Sequence, residues 1–221
     1  MADYNPNIYN YIVSIDIGVR HLALLLLETE PQTHKLHDII WFELIDITAF
    51  QHLDDNPTEC KLPHTRTFAD WLSHIFLLHH ELFDIATTIL IERQPPQGFV
   101  VIEQLLFFHY RNKAVLVHPR SVHSWLGWRR DVAYEQRKVK SVQYLKYHLT
   151  KSSRTYLCKE LEGLTRQHDV ADAFGQAMFF LHGQRKELET QRVLKERCER
   201  KPHVAPLLIS MVDLDKYKYI Q

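Results

Sequence analysis

Four acidic residues stand in sequence contexts that favour a shared chemical role. Asp16 lies inside an apolar run, SIDIG, and Glu92 ends the β-branched run ILIE. Asp169 and Asp172 are three residues apart in HDVADAFGQ, which places both on one face of a helix. Clustered carboxylates repel one another unless a cation holds them, and oxygen ligands without Cys or His favour Mg²⁺ or Mn²⁺. Two such ions beside a phosphodiester could activate a water and stabilise the leaving oxygen.

Each of these acids also has an ordinary structural explanation. Asp16 could cap or turn the chain before Gly18, and Glu92 could be a charged strand end that reaches water. A helix N-terminus favours acids through its dipole, which accounts for Asp169 better than for Asp172, because Asp172 lies deeper among alanines. Spacing alone therefore leaves both a metal site and four separate structural roles open.

The net charge of zero is an average over unlike regions. Residues 1–110 hold 5 Lys and Arg against 15 Asp and Glu, whereas residues 111–154 hold 11 against 2. Residues 155–221 are nearly balanced, with 11 against 10. An acidic half followed by a basic segment predicts a polyanionic partner. The alternative is that the basic residues form a solvated helix face.

Composition excludes several classes of protein. With 45% hydrophobic residues the chain is not wholly disordered, and its six glycines argue against a Gly-rich nucleotide-binding architecture. No apolar run approaches the roughly 18–20 residues of a membrane span, and no basic signal region is expected at the start. Cys60, Cys158 and Cys198 are far apart and form no CxxC, so we expect neither disulfides nor a cysteine zinc site. We expect an intracellular protein in a reducing compartment, with no membrane and no small-molecule substrate.

Apolar periodicity predicts an α/β fold. Strands are expected at 8–17, 22–28, 39–47, 87–92 and 114–118, and a loop at 48–65. Helices are expected at 67–84 and 99–110, from Pro119, within 128–154, and at 167–182 and 184–201. The first three strands form an antiparallel meander. The predicted architecture is a mixed central sheet, with this meander joined to parallel strands and helices on both faces.

Four motifs in this order resemble the RuvC-like Holliday junction resolvases of the RNase H-like superfamily. They are most similar to the branch that contains the poxvirus and fungal mitochondrial resolvases. The motifs are SIDIGVRHLA, ILIERQP, AVLVHPRSVHSWLG followed by a basic run, and HDVADAFGQAMFF. The similarity covers roughly residues 9–183. It divides the chain into a nuclease domain, residues 1–183, and a charged helical extension of unknown role, residues 184–221.

The resemblance implies an RNase H-like fold and a Mg²⁺-dependent endodeoxyribonuclease. In this family pattern Asp16, Glu92, Asp169 and Asp172 hold two Mg²⁺ ions, for which Mn²⁺ can substitute. A homodimer would bind four-way DNA and nick two opposed strands, leaving 5′-phosphate and 3′-hydroxyl ends during recombination or the processing of replication intermediates. The branch also suggests a viral protein at a cytoplasmic replication site, with a nuclear location left open.

The basic segment is the predicted DNA-binding surface, since cations that neutralise phosphates give affinity with little sequence information. Trp128 and Tyr134 could stack on bases at an opened junction, whereas packing is the favoured interpretation for Trp125. The predicted phosphate-binding residues are Arg111, Lys113, Arg120, Arg129, Arg130, Arg137, Lys138, Lys140 and Lys146.

Two further features of the sequence each allow two interpretations. The helix at 99–110 is apolar on more than one face, which predicts either a dimer interface or a fully buried core helix. His168 could orient water or phosphate, although the simpler interpretation is that it is only a neighbour of Asp169.

Two other functions compete with junction resolution. The same carboxylates would serve an RNase H-like nuclease that acts on RNA–DNA hybrids or other branched DNA. A DNA-structure-binding protein without activity is a third hypothesis, and the presence of all four acids counts against it.

Overall fold

The chain folds around one five-stranded mixed sheet. The computed structural model describes residues 9–18, 20–51, 62, 64–128 and 132–200, with side chains to residue 196. The predicted phosphate-binding residues Arg129 and Arg130, and most of the predicted loop at 48–65, lie outside the described residues. The strands are β1 (Asn10–Ile17), β2 (His21–Thr29), β3 (Leu36–Asp46), β4 (Thr88–Glu92) and β5 (Ala114–Val117).

The strand order is β3-β2-β1-β4-β5. Strands β1, β2 and β3 pair antiparallel, whereas β4 pairs parallel with both β1 and β5. The predicted meander joined to parallel strands is therefore confirmed. Because β1 and β4 are parallel neighbours, with Ile15 opposite Ile91, the carboxyl ends of both strands lie at one edge of the sheet.

Helices cover both faces of this sheet. On one face lie α1–α3, and on the other α4–α7, each contributing buried apolar side chains to the core beneath it. The helices are α1 (Phe68–Leu78), α2 (His80–Ile85), α3 (Val100–His109), α4 (Pro119–Trp125), α5 (Tyr134–Leu149), α6 (Leu157–Gly163) and α7 (Gln167–Arg200).

Side-chain alternation along β1 decides which helices each residue meets. Val13 and Ile15 point into the core under α1–α3, whereas Ile12 points into the core under α4–α7. Ser14 is on the same face as Ile12, and its hydroxyl donates to the carbonyl of Ala173 in α7, 2.8 Å away. Asp16 follows Ser14 by two residues and therefore lies on the same face, the one that meets α7.

The long helix α7 replaces two predicted helices. Its 34 residues continue through Gly183, where separate helices at 167–182 and 184–201 were expected. An interior glycine costs a helix only about 1 kcal/mol, which the charged helix formers that follow can offset. At about 1.5 Å per residue the helix is roughly 50 Å long. The predicted division of the chain at residue 183 thus falls inside a continuous helix.

Other predicted boundaries also change. The helix expected at 67–84 is interrupted at His79, where φ is −111° and ψ is 21°. A short 3₁₀ helix, Ile47–Phe50, begins at the last residue of the predicted third strand and continues into the predicted loop, and α6 was not predicted. No helix in the described part of the chain is long and apolar enough to cross a membrane.

Candidate active site

All four predicted acids line one cavity of about 340 Å³. Asp16 comes from the end of β1, Glu92 ends β4, and Asp169 and Asp172 come from the start of α7. The parallel pairing of β1 and β4 and the packing of α7 across β1 bring together residues that are up to 156 positions apart in the chain. Residues that are far apart in the sequence therefore lie close together at one edge of the sheet.

Asp16 and Glu92 are in direct hydrogen-bond contact. Burial raises the pKa of Asp16 well above its ordinary value, and the negative charges of Glu92, Asp172 and Asp169 raise it further. Burial also raises the pKa of Glu92, against the opposing effect of hydrogen bonds from Gln94 and the Ile17 backbone. The pair favours sharing a proton because two adjacent buried carboxylates cannot both stay charged without a counterion.

The pKa of Asp172 is raised for the same reasons. Burial raises its pKa to about 7, and the charges of Glu92 and Asp169 add to this effect. A hydrogen bond with the buried Ser141 hydroxyl of α5 opposes it. Three acids of the cavity therefore carry an electrostatic cost that a bound cation would remove.

Asp169 has a different partner, the guanidinium of Arg166 one turn earlier. Arg166 Nε donates to Asp169 Oδ2 at 2.6 Å, and its terminal nitrogen donates to Oδ1 at 3.1 Å. His168 Nε2 lies 3.0 Å from Oδ1 but outside hydrogen-bond geometry. Both carboxylate oxygens of this 5%-exposed residue thus accept from one arginine fork.

The buried amide of Gln176 links α7, which carries Asp169 and Asp172, to β1, which carries Asp16. Gln176 Nε2 donates to the Ser14 hydroxyl at 3.1 Å and to the Ile15 carbonyl at 3.3 Å. Ser14 in turn donates to the Ala173 carbonyl, so β1 and α7 are bonded in both directions. Because these bonds lie within four residues of Asp16 and Asp172, they set the separation of those two carboxyl groups.

Glu92 is held by a second amide. Gln94 Nε2 donates to Glu92 Oε2 at 2.6 Å and to the Ile17 carbonyl at 3.3 Å. The Gln94 backbone N–H donates to the buried Glu103 carboxylate on α3 at 2.5 Å. Glu92 is therefore oriented from β1 and from the helix on the opposite face of the sheet.

The donor set of this cavity suits a hard divalent cation. It contains four carboxylates and no cysteine, and the raised pKa values reflect a shortage of positive charge at the strand ends. Within the described residues, however, no three His, Cys, Asp or Glu side chains converge closely enough to hold a metal ion as they stand. Cation binding by these acids would therefore need side-chain movement, and Asp169 is the acid already engaged.

The described members of the predicted phosphate-binding set lie in different parts of the fold. Arg137 and Lys138 line the acid cavity. Lys146 lies further along α5, 3.6 Å from Glu162, and Lys140 and Arg120 are exposed. Lys113 and Arg111 lie before β5, at the opposite end from its carboxyl edge, and Lys113 Nζ donates to the Phe83 carbonyl at 2.6 Å.

The aromatic residues of the basic segment have two environments. Trp125 packs against the core and lies 6.1 Å from the ring of Phe179, as the packing interpretation predicted. Trp128 and Tyr134 line the cavity instead, and Tyr134 is 58% exposed with Lys138 Nζ 4.2 Å from its ring centre. Of the three aromatic residues considered from the sequence, Trp128 and Tyr134 are the two that remain available for stacking on a base.

Sequence reasoning missed four residues that contact or support the acids: Ser141, Arg166 and Gln176 line the cavity, and Gln94 binds Glu92. A signal existed for Gln176, because it follows Asp169 by seven residues and Asp172 by four, and so shares their helix face. No comparable spacing identifies Ser141, which reaches Asp172 only because α5 packs on α7.

The fold is similar to solved resolvase structures. The fowlpox virus resolvase in complex with substrate Holliday junction DNA matches with a TM-score of 0.54 and 15% identity, over 78% of this chain and 97% of that one. The yeast mitochondrial Holliday junction resolvase matches with a TM-score of 0.52 and 16% identity, over 81% of this chain and 85% of that one. At these low sequence identities the structural likeness shows a shared fold, the RNase H-like fold, and nothing beyond it.

Sequence comparison extends this likeness. No curated protein sequence matches the chain significantly. Residues 10–183 match the poxvirus A22 protein family, a segment that includes all five strands, all four acids and the start of α7. This segment exceeds half of the 221 residues, and the chain therefore belongs to the poxvirus A22 protein family.

Proposed function

We propose that the protein is a metal-dependent endonuclease that resolves four-way DNA junctions by paired nicks, leaving 5′-phosphate and 3′-hydroxyl ends. The observation that carries the proposal is the convergence of Asp16, Glu92, Asp169 and Asp172 on one cavity whose wall includes Arg137 and Lys138. The family membership and the fold shared with two junction resolvases support the choice of substrate.

The cavity wall offers donors for a DNA phosphate. Arg137 Nε is buried and has no hydrogen-bond partner among the described residues. Lys138 lies close enough to Asp172 for its charge to lower the pKa of that carboxyl. A phosphodiester between these cations and the acids would have its charge offset while its phosphorus faces the carboxylates.

Hydrolysis of such a phosphodiester needs little else from the protein. Water attacks phosphorus, the P–O3′ bond breaks, the phosphate stays on the 5′ end of one fragment, and the departing oxygen takes up a proton. Two Mg²⁺ or Mn²⁺ ions held by the four acids would supply the charge that activates the water and steadies that oxygen. Gln94 and Gln176 act indirectly, by holding Glu92 and β1 in place.

The decisive experiment compares the wild type with Asp16→Asn on a synthetic four-way junction with Mg²⁺. We expect the wild type to cut opposed strands in pairs and the variant to bind the junction without cutting. Normal cutting by the variant would contradict the site assignment.

The same assay separates the competing substrates. An RNA–DNA hybrid, a flap and a linear duplex of equal length are offered beside the junction. A preference for the hybrid or the flap would replace the junction with that substrate, and absence of both cutting and divalent-ion binding would favour a non-catalytic DNA-binding role.

A homodimer is also part of the proposal. Helix α3 buries Ile102 and Leu106 but exposes Phe108 by 78% and Val101 by 60%, so it is not a fully buried core helix. On α1, Leu77 and Leu78 are 59% and 65% exposed. These four residues offer an apolar surface that a second copy could cover.

Light scattering tests this dimer surface. We expect a dimer at micromolar concentration, and we expect Phe108→Asp to yield monomers whose melting temperature is little changed. A wild-type monomer would overturn the dimer.

A further inference from the structure

Arg166 is the one cation bound directly to an acid of the cavity among the described residues. Its fork spans both oxygens of Asp169, at 2.6 and 3.1 Å. Its side chain is 41% exposed, whereas that of Asp169 is 7% exposed. Arg166 is therefore the solvent-exposed partner of the pair, and both residues line the cavity.

A divalent cation and Arg166 compete for the same carboxylate. The guanidinium uses both oxygens of Asp169, and its charge repels a cation placed beside the acids. Arg166 also interacts electrostatically with Asp16, so its charge reaches the strand acids as well. For this reason a cation that binds Asp169 through the lone pairs facing the guanidinium must displace the fork.

A displaced Arg166 has a second partner within the same cavity. The guanidinium fork matches two phosphate oxygens as well as it matches two carboxylate oxygens. Lys138 is less suited to this role, because its amine already lies over the Tyr134 ring and 3.6 Å from Glu135. Within the described part of the chain, the Arg166 side chain donates hydrogen bonds to Asp169 alone.

We propose that Arg166 is an exchangeable clamp: it holds Asp169 until a divalent cation takes that carboxylate, and then binds the phosphodiester to be cut. This inference rests on the proposed function. It predicts effects of opposite sign on cation binding and on cleavage, which a purely structural arginine would not produce.

The first measurement is calorimetric titration with Mn²⁺ in the absence of DNA. We expect Arg166→Gln to bind Mn²⁺ at least about tenfold more tightly than the wild type, because one repelling charge has been removed. Arg166→Lys keeps the charge and should bind Mn²⁺ close to the wild type. Unchanged or weaker Mn²⁺ binding by Arg166→Gln would overturn the inference.

The second measurement is single-turnover junction cleavage at saturating Mn²⁺. Here Arg166→Gln should be at least about tenfold slower than the wild type, and Arg166→Lys should recover part of the loss, because one charge still reaches the phosphate. Wild-type speed in Arg166→Gln would show that the arginine never contacts the phosphodiester and would also overturn the inference.

Arg154→Gln is the matched control. Arg154 binds Asp38 at 2.7 Å in a second arginine–aspartate pair that does not line the acid cavity. Its loss should leave Mn²⁺ affinity unchanged, which separates a local effect from a general change in charge. Thermal melts confirm that each variant is folded, and Arg166→Ala, for which the same two outcomes are expected, carries the test if Arg166→Gln is not.

The outcomes distinguish the two proposals. If the wild type neither binds Mn²⁺ nor cuts the junction, the proposed function fails. Suppose instead that the wild type does both. If Arg166→Gln then fails either to bind Mn²⁺ more tightly or to cut more slowly than the wild type, only the clamp fails.

Discussion

Two aspartates on the same sheet, Asp16 on β1 and Asp38 on β3, have opposite surroundings. Asp38 is 6% exposed and accepts from the hydroxyls of Ser152 and Ser153 and from Arg154. Burial alone would raise its pKa, but these hydroxyls, the Ile39 amide and Arg154 together lower it. Asp16 instead faces Glu92 and the helix acids, and its pKa is raised.

The difference separates a structural carboxylate from one suited to binding a ligand. Around Asp38 the fold itself supplies every donor, so the charge is neutralised when the chain folds. Around Asp16 the fold supplies more acids, which costs stability and leaves the neutralisation to a cation from solution. A buried acid with acids for neighbours is therefore a better indicator of function than burial alone.

The largest expected effect is on chemistry. Asp16→Asn should slow junction cleavage by about 10³-fold or more, equivalent to roughly 4 kcal/mol of lost transition-state stabilisation. Asp38→Asn should leave the cleavage rate within about twofold of the wild type. Single-turnover rates with Mg²⁺ measure both, and a large rate loss in Asp38→Asn would break the distinction between the two sites.

The effect on stability should be reversed. Asp38→Asn leaves Arg154 and two serines without their charged acceptor, so we expect the free energy of unfolding to fall by about 2 kcal/mol. Asp16→Asn removes a carboxyl whose burial beside other acids costs stability, and it should unfold at the same or a higher denaturant concentration. Urea titrations at pH 7 without divalent ions check this, and the contrast fails if Asp16→Asn is the less stable variant.

The pH dependence of stability should also differ in sign. The pKa of Asp172 rises from 3.8 to about 7 on folding, so the folded state holds the extra proton and stability falls as pH rises through this range. The pKa of Asp38 is lowered, so its contribution is present at neutral pH and is lost in acid.

Asp172→Asn should therefore flatten the decline between about pH 4 and 7 and raise stability at pH 8 by about 1–2 kcal/mol. Melting temperatures across this range, measured without divalent ions, give the comparison. Asp38→Asn is the control, and it should instead reduce the loss of stability that occurs in acid. A decline that persists unchanged in Asp172→Asn would refute the assignment.

The smallest effect concerns the basic residues near and far from the acids. Lys138→Gln removes a cavity cation and should weaken junction binding several-fold, with a salt slope smaller by about 1. Lys113→Gln is the control, because its amine bonds to the Phe83 carbonyl at the other end of β5. Equal losses in both variants would mean that DNA also covers that end.

Much of the fold could be predicted because it depends on local pattern. Alternation and β-branching identified all five strands, and helical periodicity identified the cores of α1, α3 and the first half of α7. The break at His79 and the helix α6 were missed, since their short segments have boundaries that packing decides. Arg111 and Lys113 were grouped with Arg137 and Lys138 by charge alone, and the strand between them separates the two pairs.

The sequence by itself indicated which four acids belong together, because their motifs occur in the order found in the resolvase family that the chain resembles. Only the tertiary structure decided how those acids are held and opposed. Gln176, Gln94 and Arg166 act through contacts of a few ångströms, and a one-dimensional pattern carries no such distances. The identity of an acid is local chemistry, whereas its charge state depends on every neighbour that folding places around it.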